Sequence, residues 1–94
     1  MRLTPRAEAD LAALEADKGL AKRLKAVHKT LALIQTNLRH PGLHTHKFEA
    51  MTGPEGQPVF EAYAENKTPG AFRVFWCYGP GKGIISVISI TAHP

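Results

Sequence analysis

The sequence predicts an α+β fold in a single domain over residues 1–94: an N-terminal helical hairpin packed on a twisted, mainly antiparallel sheet of about four strands. Three observations predict it. Structure-breaking residues are segregated, with one proline (Pro5) and one glycine (Gly19) in residues 1–40 but six prolines and seven glycines in residues 41–94. The apolar residues of the first half recur at helical spacing. Those of the second half alternate, or form β-branched runs of strand length.

Met1–Thr4 has room for a very short leading strand. Thr4 then reads as a helix N-cap and Pro5 as the first helical residue, where a missing N–H costs nothing. Ala7, Leu11 and Leu14 form the apolar stripe of a helix of about three turns, ended by Asp17-Lys18-Gly19. In the second helix Leu20, Leu24, Val27, Leu31, Ile34 and Leu38 step alternately by four and three, which makes one seam of about five turns. His40-Pro41-Gly42 is its expected stop. The short break between the helices favours an antiparallel hairpin.

Four strands follow. Leu43–Met51 is polar and interrupted. In Val59–Glu65, Phe60, Ala62 and Ala64 share one face, and Glu61, Tyr63 and Glu65 the other. In Ala71–Tyr78, Phe72, Val74, Trp76 and Tyr78 oppose Arg73, Phe75 and Cys77. Ile84–Thr91 is rich in β-branched residues, as a strand covered on both faces would be. Asn66–Gly70 and Gly79–Gly83 are turns of hairpin length.

Composition narrows the function classes. Twelve Lys and Arg against eight Asp and Glu leave a net charge of +4, and 44% apolar residues is too many for a disordered chain. No apolar run approaches the ~20 residues of a membrane span, and no basic-then-apolar leader opens the chain, so neither membrane insertion nor secretion is expected. A single cysteine, Cys77, precludes an internal disulfide and a cysteine-based zinc cluster, which suits a reducing cytoplasm. No cofactor motif is present: the glycine-rich Gly79–Gly83 lies between two strands and reads as a turn. The expected partners are acidic, either nucleic acid or an acidic protein.

Several residues could carry chemistry. His44 and His46 read as a chelating pair, as polar edge-strand residues, or, for His46 with Lys47, as a nucleic-acid contact. Arg73 sits in an aromatic strand and keeps its charge. It must pair with Glu61 or Glu65, or aim its guanidinium at a phosphate, which it can grip with two parallel N–H bonds; both hold if the carboxylate orients it. His93 is a solvated terminal imidazole or a proton-transfer group. Phe75 and Trp76 are core residues or stacking platforms. Lys18, Lys22, Arg23, Lys25, Lys29 and Arg39, with no carboxylate among residues 18–39, form a solvated face or meet an acidic partner.

The order of elements, the strand Phe72-Arg73-Val74-Phe75-Trp76 and the ending Ile88-Ser89-Ile90-Thr91-Ala92-His93-Pro94 together resemble the RelE/ParE superfamily of bacterial toxins from type II toxin–antitoxin pairs. The resemblance spans almost the whole chain, and topology carries more of it than any one string. It implies a cognate antitoxin as partner. For RelE-like members it also implies binding at the ribosomal decoding site and metal-independent mRNA cleavage by 2′-OH attack. Arg73 matches the strand arginine that contacts the scissile phosphate, and His93 the near-terminal histidine of some members, a candidate acid. Lys47 and His46 lie where members carry further catalytic groups; Glu61 would be a base or orient Arg73. Lys22, Lys25, Lys29, Arg39 and His44 would hold RNA. The chain departs from relatives that end in a catalytic tyrosine, since its last residue is Pro94, and its first strand is short. The same resemblance admits a ParE-like inhibitor of DNA gyrase without nuclease chemistry. A non-enzymatic RNA-binding domain is a third reading.

Overall fold

Thr4 opens the first helix as its side chain predicts: the hydroxyl accepts from the Ala7 N–H at 3.1 Å, and Pro5 is the first helical residue. The computed structural model describes residues 1–92. In chain order it contains β1 (Arg2–Leu3), α1 (Pro5–Ala16), a 3-10 turn (Lys18–Leu20), α2 (Ala21–Thr36), a second 3-10 turn (Pro41–Leu43), β2 (His46–Thr52), β3 (Pro58–Tyr63), β4 (Phe72–Tyr78) and β5 (Ile85–Ala92). The strands form one five-stranded mixed sheet in the order β1-β5-β4-β3-β2. β1 runs parallel to β5, and the other pairs are antiparallel.

The departures from expectation have local causes. The sheet has five strands, because the two residues of β1 find a place beside Ser86 and Val87 of β5. The second helix is shorter than its seam. Leu20 falls in the 3-10 turn that Asp17 caps by accepting from Gly19 N–H, and the helix stops at Thr36, short of Leu38. At that end Thr36 bonds back to the Ala32 carbonyl, and Asn37 leaves helical geometry. Short polar side chains of this kind compete with the helical backbone. Leu43 belongs to a turn, so β2 begins only at His46.

The helical hairpin covers one face of the sheet. Ala7 and Leu14 of α1 and Val27, Leu31 and Ile34 of α2 pack with Ala62, Val74, Trp76, Val87 and Ile90, and Leu43 closes one end. On the opposite face Val59, Phe75 and Cys77 form a smaller cluster, covered by Phe48, Met51 and Ile88. Phe75 pairs with Ser89 but Trp76 pairs with Val87, so Ile88 is the extra residue of a bulge on β5. Beyond β1 the edge of β5 is sealed by side chains: Thr4 Oγ1 donates to the Ile88 carbonyl, and Asp10 accepts from the Ile90 N–H at 2.9 Å. No helix among the described residues is long and apolar enough to cross a membrane.

Ile34 is 1% exposed at the centre of the seam between α2 and the sheet. Ile34→Ala is expected to lower stability by about 2–5 kcal/mol, read as an earlier midpoint in urea unfolding with the slope unchanged.

Candidate functional site

Period two in β3 sends Glu61 and Tyr63 to the face away from the helices, and the antiparallel register sets Tyr63 opposite Arg73 on β4 and Glu61 opposite His46 on β2. Three neighbouring strands thus bring one carboxylate, one phenol, one guanidinium and one imidazole together. Arg73 is 5% exposed and Glu61 2%. Arg73 Nε lies 3.6 Å from Glu61 Oε2, and its guanidinium carbon sits 3.7 Å from the centre of the Tyr63 ring. Arg73 Nη1 donates to the backbone carbonyls of Glu65 and Phe72. Among the described residues the buried Nε, 3.6 Å from Glu61, makes no hydrogen bond, and neither does Nη2. A two-nitrogen grip on a phosphate through Nη1 and Nη2 is therefore unavailable while Nη1 serves the backbone, and Nη2 is the donor left to offer.

His46 closes the cluster from the solvent side. Its Nε2 is 2.7 Å from Glu61 Oε1, and its Nδ1 is 2.8 Å from the His44 carbonyl oxygen. A carbonyl only accepts, so Nδ1 carries hydrogen. The contact with Glu61 needs a hydrogen as well, held between imidazole and carboxylate. The His46 side chain is 46% exposed whereas that of Glu61 is 3% exposed, so the pair couples a solvent-facing imidazole to a buried acceptor. His44 stands just before β2 in the left-handed region (φ 47°, ψ 37°), and its ring lies 5.0 Å from that of Tyr63, tilted by 31°. Because His44 precedes the strand, the same-face argument for a chelating pair with His46 does not apply. Among the described residues, no three His, Cys, Asp or Glu side chains converge as metal ligands.

The other sequence candidates lie elsewhere. Lys47 pairs in register with Phe60, whose side chain packs on the helix side, so it points away from His46 and approaches Glu49 at 3.6 Å. Lys22, Lys25 and Lys29 are exposed on the side of α2 opposite its apolar seam, across the sheet from the histidine cluster. Arg23 does not share that face: it ties Glu65 and the Pro69 and Gly70 carbonyls to the helix. Arg39 does approach the cluster, lining a shallow cleft with His40 and His44. His93 falls outside the described residues. Phe75, Trp76 and Cys77 are buried core.

Tyr63 was legible as a neighbour of Glu61 by alternation but carried no functional signal of its own. Its contacts make it the common surface for Arg73, His44 and His46. Glu65 is the second residue that the pattern undervalued. Its carboxylate binds Arg23 and the Phe72 N–H, while its carbonyl holds Arg73.

No protein-family model, curated protein or solved structure gives a significant match to this chain.

Removing one member of a buried ion pair strands the other. Glu61→Ala is expected to destabilise the fold by about 3 kcal/mol in urea unfolding, and Glu61→Leu combined with Arg73→Met to restore most of that loss. At the far end of the sheet, burial and then the nearby Glu55 charge push the Cys77 thiol above its ordinary 9.0. The folded state thus favours the neutral thiol. Its contribution to stability is complete below the unfolded-state pKa and is lost as pH rises through the folded value. Cys77 is expected to resist an aromatic disulfide reagent at neutral pH and to react at once in denaturant.

Proposed function

We propose that this chain is a RelE-like toxin of a type II toxin–antitoxin pair, a ribosome-dependent endoribonuclease that stops translation in the cytoplasm by cleaving mRNA without a metal. The observation that carries the reading is the half-exposed His46 imidazole held at 2.7 Å by the buried Glu61, with Arg73 against the same carboxylate. A proton-transfer group, its orienting carboxylate and a cation for a phosphate are the parts that 2′-OH attack requires.

In this reading the RNA 2′-oxygen loses its proton and bonds to the adjacent phosphorus. The P–O5′ bond breaks, and the leaving oxygen is protonated, giving a cyclic phosphate and a 5′-hydroxyl. His46 takes the 2′-OH proton on Nε2 when that nitrogen turns from Glu61 to the substrate and leaves the hydrogen they share on the carboxylate. Glu61 positions the ring before that turn, and the His44 carbonyl holds Nδ1. Arg73 supplies its Nη2 hydrogens to a phosphorane oxygen. The resemblance assigns the second proton-transfer step to His93. The exposed Lys22, Lys25 and Lys29, on the other side of the molecule, suit ribosomal RNA backbone or an acidic antitoxin better than the scissile strand.

The test is cleavage of mRNA on programmed ribosomes in a purified translation system, with 5′ ends mapped by primer extension and ribosome-free mRNA alongside. Cuts at decoding-site codons are expected only with ribosomes, and at least about a hundredfold more slowly in His46→Gln. Folded protein that arrests growth without producing cuts would overturn the nuclease reading in favour of DNA gyrase inhibition, checked by a supercoiling assay. RNA binding that weakens steeply with salt, with neither cleavage nor toxicity, would leave a non-enzymatic RNA-binding domain.

A further inference from the structure

The turn between α2 and β2 holds features that the cleavage chemistry does not use. Arg39, His40 and His44 line an open cleft of about 340 Å³ with Leu38, Pro41 and Thr45, and no carboxylate contributes to its wall. That volume lies within the range of small-ligand pockets. Its imidazoles are held in place. His40 Nδ1 accepts from the Gly42 N–H at 3.0 Å, so its proton resides on Nε2, which is left as a donor. A side chain at position 42 would collide with the His40 ring, because a Cβ there would come within 2.9 Å of it. Leu43, fully buried, pins the turn to the core, and the next residue, His44, takes the left-handed conformation that few non-glycine residues adopt. The His44 ring is thereby laid beside Tyr63, the ring that also carries the Arg73 guanidinium.

We infer that this cleft binds a single ribonucleotide of the RNA strand, with its base stacked on His44 beside Tyr63 and its phosphate on Arg39 and His40. The choice of RNA rests on the nuclease reading. The features of the site fit it independently: an aromatic surface for a base beside an anion-binding wall is how unpaired nucleotides are held. Continuity through Tyr63 makes this nucleotide the neighbour of the phosphate presented to Arg73. The subsite would therefore fix the strand's register relative to the scissile bond.

The test uses the full chain and needs no cleavage. Adenosine 5′-monophosphate and, separately, inorganic phosphate are titrated into the protein while ring-proton and amide resonances are followed by NMR. The mononucleotide is expected to move the His44 and Tyr63 ring protons upfield saturably, whereas phosphate should move only signals near Arg39 and His40. His44→Ala should weaken mononucleotide binding by roughly tenfold and His44→Phe preserve it, because stacking needs only a flat ring. His28→Ala, on the exposed side of α2, should change nothing. Identical responses to mononucleotide and phosphate, or shifts centred on α2, would overturn the subsite. Stacking without ribosomal cleavage would sink the nuclease reading alone, and cleavage without stacking would sink the subsite alone.

Discussion

A guanidinium cannot shed its charge, and this fold buries one in the second strand of its central hairpin. Much of the open face is arranged around that constraint. β3 meets it with two residues of one face, Glu61 supplying the opposing charge and Tyr63 an aromatic surface, and the turn just beyond adds the Glu65 carbonyl as acceptor. The Glu65 carboxylate then reaches Arg23, which ties α2 to the β3–β4 turn. Glu61 reaches His46, which ties down the start of β2. The group that would handle a phosphate is thus also the one that links three strands and a helix, so positioning of the site and stability of the sheet are one property.

The charge of the molecule is divided between two sides. The lysines of α2 face away from the sheet, and His44, His46 and Arg39 gather on or beside the opposite face. A single RNA strand lying in the histidine cluster would not touch the lysines. In the proposed function the two separated basic regions would meet two polyanions, a message and the ribosomal RNA around it, or the lysine face would be covered by an acidic antitoxin.

Much of this was legible in the sequence. Thr4-Pro5 and Asp17-Gly19 marked helix boundaries through local hydrogen bonding, and alternation sorted the faces of β3 and β4 as far as Tyr63, beyond which the chain leaves the strand and the Glu65 side chain turns to Arg23 on the helix side. Alternation alone places Glu61, Tyr63 and Arg73 on one face. What failed depended on long-range pairing or on a shift of frame. The parallel pairing of β1 with β5 leaves no local trace in two residues. The turn at Pro41–Leu43 delays β2, so Lys47, one residue past His46, faces away from the cluster that sequence proximity had suggested for both. The cleft at Arg39 and His44 depends on a left-handed residue that composition alone does not announce.

The placement of β1 makes one edge of the sheet depend on the far end of the chain. The helical hairpin, the β2–β3 pair and the β3–β4 turn all join segments that are close in sequence. The contact from Thr4 to Ile88 spans 84 residues, as do the β1–β5 pairs, so all of them close a very long loop. Contacts between near neighbours form early, and closure of so long a loop comes late. The outer edge of β5, guarded in the finished protein by Thr4 and Asp10, stays open until the beginning of the chain returns to it. Whenever those first residues are detached, that edge is bare to other chains, which makes the opening segment the guard of the sheet.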